Sequence, residues 1–169
     1  MPNRLNGYTN LSHKAVRTLI SDTLKSIDDS VLFAYARASD FNSIGIKDDK
    51  RVRLDPLRQT LEYSEGSYNL TKQYQVAIIF YKLDVLQGAE EETAAILDEM
   101  DKLSDKFINK LNLFEFNEDT TDEISTQNTE ISSIRKEPII KVTVDCVTGW
   151  VVSFNFTVPD TFDYCSLYE

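Results

Sequence analysis

The clearest alternation of apolar and polar residues lies in residues 138–159, close to the C-terminus. Apolar side chains at positions 140, 142 and 144 alternate with polar ones, and the alternation resumes after Thr148-Gly149. Two such runs around a glycine predict an antiparallel β-hairpin whose tight turn uses the positive φ that Gly149 allows. The second strand then carries one large apolar face, made of Trp150, Val152, Phe154, Phe156 and Val158.

A second hairpin is predicted in the middle of the chain. Residues 57–63 form one strand, Glu65-Gly66-Ser67 the turn, and residues 69–86 the other strand. The longer strand is apolar on both faces from Val76 onward, which is typical of a central strand covered on both sides. Residues 31–36 predict a short strand, and residues 37–57 a long irregular connection, because Pro56 excludes a central strand there.

Two amphipathic helices complete the predicted fold. The first is capped by Ser12 and carries apolar residues at helical spacing up to Ile27. The second runs from Glu90 to Leu113, with acidic residues in its first turn, where the helix dipole favours them. The order α, β, ββ, α, ββ predicts an α+β fold in which two helices pack on a mostly antiparallel sheet of two hairpins. We expect one domain over residues 1–169, with residues 1–10 as a flexible arm.

Composition narrows the possible partners. The net charge of −10 disfavours a nucleic-acid-binding surface, because phosphate contacts need clustered Lys and Arg, and it disfavours contact with an anionic membrane. No apolar run reaches the roughly 20 residues that span a bilayer, so no membrane partner is expected. Residues 114–133 are acidic and polar without any basic residue, and they predict a solvated loop.

Constellations of catalytic or metal-binding residues are scarce. His13 is the only histidine, and no serine or cysteine motif would pair with it. Together with this histidine, Cys146 and Cys165 fall short of the four ligands of a zinc site, and reduced thiols are expected. The glycines are scattered at turns and form no phosphate loop. We therefore expect neither an enzyme nor a bound metal or cofactor.

Aromatic side chains are the candidates for a subunit interface. Protein interfaces are enriched in aromatic residues, and edge strands of an antiparallel sheet can pair with a neighbour. The alternative is an ordinary place in the core and at its rim. The predicted interface residues are Tyr63, Tyr74, Tyr81, Trp150 and Tyr164.

Several segments carry a resemblance to a known family. They are Phe33-Ala-Tyr-Ala-Arg-Ala-Ser-Asp-Phe-Asn42 with Leu54-Asp-Pro-Leu57, and Thr148-Gly-Trp-Val-Val-Ser-Phe-Asn-Phe-Thr-Val-Pro159 with Asp163-Tyr-Cys165. They are similar to segments in neck and tail proteins of crAss-like and related phages. With the strand Gln73-Tyr-Gln-Val-Ala-Ile-Ile-Phe-Tyr81 and the acidic-start helix after it, the chain resembles the tail terminator, or tail completion, proteins of tailed bacteriophages.

This resemblance implies a structural virion protein that is assembled in the host cytoplasm. The family forms a ring, commonly a hexamer, at the head-proximal end of the tail tube. Its partners would be further copies of the chain, the tail tube protein and neck or connector proteins, with DNA passing through without specific binding. The acidic residues expected to line the lumen or to dock on a neighbouring ring are Asp48, Asp49, Glu118, Asp119, Asp122 and Glu123.

Two alternatives remain open at the level of the sequence. The first is another neck ring protein, such as a head–tail connector. The second belongs to a different class and is a cytosolic binding module or small enzyme, since a fold by itself does not fix a function.

Overall fold

The computed structural model describes residues 13–35, 49–63, 70–84, 89–115, 130–142 and 146–159. These residues form two helices and six strands. In chain order they are α1 (His13–Ile27), β1 (Leu32–Tyr35), β2 (Arg51–Leu54), β3 (Arg58–Tyr63), β4 (Leu70–Leu83), α2 (Glu90–Glu115), β5 (Glu130–Val142) and β6 (Val147–Pro159). The predicted α+β class is confirmed.

The six strands form one sheet in the order β1-β2-β4-β6-β5, and β3 pairs with β4 alongside this path. Among the described strands, β1 and β2 are the one parallel pair, and the remaining pairs are antiparallel. The mixed, mostly antiparallel sheet confirms the prediction. The pairs β3–β4 and β5–β6 correspond to the two predicted hairpins, and β4 is central, with strands on both sides.

Both helices pack on the same side of the sheet, which we call the helix face. Alternate residues of β4 and β6 point towards it, because successive side chains of a strand face opposite sides. Phe107 of α2 is fully buried there, with its ring centroid 5.7 Å from that of Phe80. Each large apolar side chain buried in this way contributes about 1.5–3 kcal/mol. The core includes Val16, Leu19, Ile20 and Leu24 of α1, Met100, Leu103, Phe107 and Leu111 of α2, and Tyr74, Val76, Ile78, Phe80, Val152, Phe154 and Phe156 of the sheet.

The helices bury these residues at steps of three and four, as their sequence pattern predicts. The first helix begins at His13, and the predicted cap, Ser12, lies outside the described residues, as does the predicted arm 1–10. Neither described helix combines the length and the apolar character that a membrane crossing requires.

The predicted turn at Gly149 is wrong. β5 ends at Val142, which pairs with Val147 at the start of β6, so the connection lies before Gly149 and includes Cys146, whose φ is 51°. Gly149 itself lies inside β6 and pairs with Tyr81. The physical reason for a glycine here is close approach, since a Cβ at this position would lie 1.9 Å from the carbonyl oxygen of Phe80.

Two further boundaries differ from the prediction. The predicted acidic loop 114–133 overlaps the end of α2 and the start of β5, so that only residues 116–129 lie outside the described chain. The irregular connection predicted for residues 37–57 contains a strand, β2, which pairs with β1 and β4. Its Val52 and Leu54 are core residues, whereas Arg51 and Arg53, which alternate with them, made the segment look like a charged loop.

Candidate functional site

The side of the sheet opposite the helices, which we call the outer face, has an apolar half and a polar half. The apolar half is a small buried cluster towards the end of β4. Its members are Ile79, Tyr81 and Val147, with Leu83, Ile139 and Val151 packed against them. The polar half lies towards the N-terminal end of β4 and is open. Its polar and charged side chains are the candidates for ligand binding among the described residues.

Two arginines of β2 are buried on the outer face. The side chain of Arg53 is 3% exposed, and its Nε and Nη2 lie 3.0 Å and 2.9 Å from Oδ1 of Asp55. Arg51 is 6% exposed, and its Nη2 lies 3.8 Å from Oδ2 of Asp49. Neither Nε nor Nη2 of Arg51 has a hydrogen-bond partner among the described residues. A buried guanidinium without a full set of acceptors is costly, and the carboxylate of Asp49 offsets part of this cost for Arg51.

An open groove of about 740 Å³ crosses the polar half of the outer face, and we call it the outer groove. Four strands build it, because Arg58 of β3 pairs with Gln75 of β4, and Arg135 of β5 pairs with Ser153 of β6. Small side chains form its floor, with Ala77 of β4 opposite Ser153. Three strand spacings separate the β3 wall from the β5 wall, so the two walls lie roughly 14 Å apart.

The residues that line the outer groove include two arginines and one aspartate, although the chain as a whole carries −10. Arg58 and Arg135 stand on opposite walls, both exposed. Neither guanidinium makes an ion pair or hydrogen bond within the described part of the chain. The acidic residue that lines the groove, Asp55, already holds Arg53. The groove can therefore bind an extended anionic ligand through two separate guanidinium groups.

The edge strand β5 carries three exposed large apolar side chains among its polar ones. Ile134 is 43% exposed, Ile140 is 53% exposed and Val142 is 38% exposed. The same strand is poorly suited to adding a further strand, because its register shifts twice and Pro138 cannot donate a ladder hydrogen bond. The irregularities coincide with positive φ angles of 57° at Ser133 and 48° at Lys141. β5 therefore offers its side chains, rather than its backbone, to a neighbour.

Lys136 fixes β5 to the second helix. Its Nζ donates to Asp101 and, over 2.6 Å, to Asp105, both on α2. The ammonium also lies 5.4 Å from the ring centroid of Trp150, whose Nε1 donates to the carbonyl oxygen of Leu97 over 2.9 Å. Burial works against the charged form, but the hydrogen bonds that the ammonium donates to the two carboxylates raise the pKa of Lys136 above its ordinary value. The edge is thus held in a fixed position on the helix layer.

A buried carboxylate ties three elements together near the start of α2. Oδ2 of Asp84 accepts hydrogen bonds from Oγ1 of Thr93 over 2.8 Å and from Oγ1 of Thr148 over 3.0 Å. The backbone N–H of Asp84 donates to the carbonyl oxygen of Cys146 over 2.8 Å. These partners are hydroxyl and peptide groups within the fold, so the arrangement is structural.

Metal and nucleophile sites receive no support from the described residues. No group of three or more His, Cys, Asp or Glu side chains in them could hold a metal ion. His13 lies on the surface, where its Nε2 is 2.9 Å from the hydroxyl of Tyr35 and the two rings meet edge to face. A phenol beside a histidine, without a nucleophile or a carboxylate, does not form a hydrolytic triad.

The three predicted aromatic residues whose side chains the structure describes, Tyr74, Tyr81 and Trp150, are not brought together. Tyr74 is 1% exposed in the core, and Tyr81 is 7% exposed in the outer-face cluster. Both rings therefore pack within the fold of the single chain. Trp150 is half-buried beside Lys136. Tyr63 ends β3, but its side chain lies outside the described part of the chain, as does all of Tyr164.

The predicted acidic residues fall mostly on segments that the structure does not describe. Asp49 is described, half-buried next to Arg51. The residues outside the described ranges are Asp48, Glu118, Asp119, Asp122 and Glu123. The outer groove was missed because its walls are far apart in sequence. The alternation of residues predicts on which face of its own strand Arg58 or Arg135 lies. It does not predict the strand order that brings the two strands into one groove.

Comparisons with known proteins do not assign the chain to a family. No family model matches it, and no curated protein matches it. The function must therefore be argued from the surface itself and from the resemblance of the sequence segments.

Proposed function

We propose that the chain is a structural subunit that assembles head to tail into a ring. One observation carries this proposal: the large apolar side chains that are exposed among the described residues all lie on strands at the margins of the sheet. They are Leu32 on β1, Leu61 on β3, and Ile134, Ile140 and Val142 on β5. Exposed apolar groups concentrated in this way are typical of interaction sites.

The positions of these margins suit a heterologous contact. β1 and β5 are the two ends of the strand order, so the apolar edge of one copy can meet the opposite margin of the next copy. A contact between two different patches produces a closed ring when its rotation closes. A stable interface of this kind buries about 800 Å² on each partner, with apolar residues at its centre.

Within this class, we propose the role of a tail terminator, or tail completion, protein in the neck of a phage tail. The support is the sequence resemblance, together with an α+β sheet that carries both helices on one face and leaves its margins open. The ring, commonly a hexamer in that family, would join the tail tube to the neck within the virion. A head–tail connector is the alternative role for the same kind of ring.

The outer groove favours a second candidate from a different class, a binding module for acidic peptides. The two candidates differ in the residues that bind the partner molecule. A ring needs the apolar margins, whereas a binding module of this type needs Arg58 and Arg135 and functions as a single copy.

The assembly proposal is tested by the double variant Ile134→Asp and Ile140→Asp. Light scattering after size exclusion, for the chain alone and with tail tubes, measures the assembly state. We expect the unmodified chain to form a ring and the variant to remain monomeric. Ala94→Asp with Ala95→Asp is the matched control, since it adds the same two charges at exposed positions of α2. A chain that is monomeric under both conditions, or variants that behave alike, would overturn the proposal.

The role in the virion is tested separately. Mass spectrometry of purified particles should detect the chain. Particles made without the chain should have tails of abnormal length and an intact capsid. Capsids that leak DNA would instead favour the connector role. Complete absence of the chain from the particles would refute both roles.

A further inference from the structure

We propose that the outer groove selects an extended peptide of a partner protein with two carboxylates about four to five residues apart, an inference that rests on the binding-module candidate and names its ligand. Asp55 of the groove already holds Arg53. The other polar side chains that line it make no side-chain hydrogen bond or ion pair within the described part of the chain. They are Arg58, Gln75, Ser133, Arg135, Ser153 and Asn155. These side chains can therefore bind a ligand without breaking a contact within the fold.

The strand register fixes where the two arginines stand. One row of side chains crosses all four strands of the groove and consists of Arg58, Gln75, Asn155 and Ser132, each paired with the next. Arg135 ends the adjacent row, because it pairs with Ser153, two positions from Asn155 along β6. Three strand spacings across the sheet and one two-residue step along it place the Cα atoms of the two arginines about 16 Å apart.

The groove is long across the strands and short along them. Its lining covers residues 75–77 of β4 and 153–155 of β6, which is about 7 Å along each strand. An α-helix with its side chains is about 10–12 Å wide, whereas four to five residues of extended chain span about 14–17 Å. An extended peptide that crosses the strands therefore matches the groove and can reach both arginines. Between them, the side-chain amides of Gln75 and Asn155 can donate hydrogen bonds to its carbonyl oxygens.

The charges around the groove favour two separate carboxylates over a continuous polyanion. Arg58 and Arg135 offer one guanidinium at each end of the groove, and each can bind one carboxylate. Glu137 is exposed on the same face as Arg135, two residues further along β5, and has no ion pair among the described residues. Its carboxylate repels additional negative charge at that end. A nucleic acid, with its many phosphates, is therefore disfavoured as a ligand of this chain, whose net charge is −10.

The test compares two peptides of equal composition and charge, both amidated at the C-terminus and labelled with an uncharged fluorophore. Ser-Glu-Ser-Thr-Ser-Glu-Ser has its glutamates four positions apart and is called the spaced peptide, whereas Ser-Ser-Glu-Glu-Ser-Thr-Ser has them adjacent. Fluorescence anisotropy at low ionic strength measures their binding to the full chain. We expect the spaced peptide to bind about threefold more tightly, because it alone can reach both arginines.

Three variants test the residues that carry the inference. Arg58→Gln with Arg135→Gln should weaken binding of the spaced peptide by about tenfold, since two ion pairs are lost. The matched control is Lys102→Gln with Lys106→Gln, which makes the same change in net charge at exposed positions of α2 and should bind like the unmodified chain. Glu137→Gln should strengthen binding by about twofold, because it removes the repulsion beside Arg135.

The outcomes separate this inference from the candidate on which it rests. Equal binding of the two peptides, with the loss in the arginine variant retained, would overturn the required spacing and leave the binding module standing. No saturable binding up to about 1 mM, or equal binding by the arginine variant and its control, would overturn both. Binding that requires replacement of Glu118, Asp119, Asp122 and Glu123 by their amides would identify the chain's own acidic segment as the occupant and overturn the partner peptide. The ring is tested independently by the margin variants.

Discussion

Gly149→Ala is the most direct test of the packing between the two longest paired strands. A Cβ at this position would lie 1.9 Å from the carbonyl oxygen of Phe80 and 2.7 Å from Cα of Tyr81. Contacts below about 3.0 Å do not persist, so β6 must move from β4 by about 1.1 Å. This shift lengthens a ladder hydrogen bond from about 2.9 Å to about 4.0 Å, where the bond is lost. A buried peptide group without its partner costs about 1–3 kcal/mol, and residual crowding adds to this.

We therefore expect Gly149→Ala to lower the free energy of unfolding by about 2–4 kcal/mol. Urea denaturation measures the change, and Trp150, the single tryptophan, reports on the adjacent position by its fluorescence. Ser153→Ala is the matched control, since it changes a small residue on the same face of the same strand and should cost less than about 1 kcal/mol. A loss below about 0.5 kcal/mol for Gly149→Ala, or equal losses for both variants, would refute the close-approach argument.

Three further predictions concern the stability of the fold. Phe107→Ala removes a fully buried ring and should cost about 3–5 kcal/mol in urea denaturation. Lys136→Met breaks the contacts of β5 with α2 and should cost about 1 kcal/mol, less at high salt, with an altered Trp150 emission. The hydrogen bond from Lys50 lowers the pKa of Asp28 from 3.8 to about 2. Because the folded pKa is depressed, its stabilisation is present above about pH 4 and lost as the pH falls towards 2, so the stability difference from Asp28→Asn should shrink over that range.

The long elements could be predicted from the sequence because each buries a periodic set of apolar residues. α2 places Met100, Leu103 and Phe107 on one stripe, and β6 places Val152 and Phe154 on one face. Periodicity of this kind reflects the contact with the core directly, so it indicates both the type and the orientation of the element. The apolar run of β4 is explained in the same way, since Ile78 and Phe80 are buried under the helices while Ile79 and Tyr81 are buried in the outer-face cluster.

The short and irregular parts could not be predicted in the same way. β2 has four residues, and the cost of burying its Arg53 is offset by Asp55, which accepts two contacts from it in the folded chain. Gly149 looked like a turn residue, because a glycine required for close approach and one required for positive φ are identical in sequence. The outer groove depends on the order of the strands, and hydrophobic patterns do not encode which strands become neighbours.

The margins of the sheet combine two features that would conflict in an isolated monomer. Exposed Ile134 and Ile140 favour association, whereas Pro138 and the two bulges oppose the addition of a strand. A strand added along β5 would extend the sheet without a limit, because each new copy presents another free edge. Contact through the side chains of β5, which Lys136 holds in a fixed position, instead permits a constant rotation from one copy to the next. In the proposed ring, the backbone of β5 is blocked from pairing with a further strand while its apolar side chains stay exposed. This combination therefore favours a closed assembly over a filament.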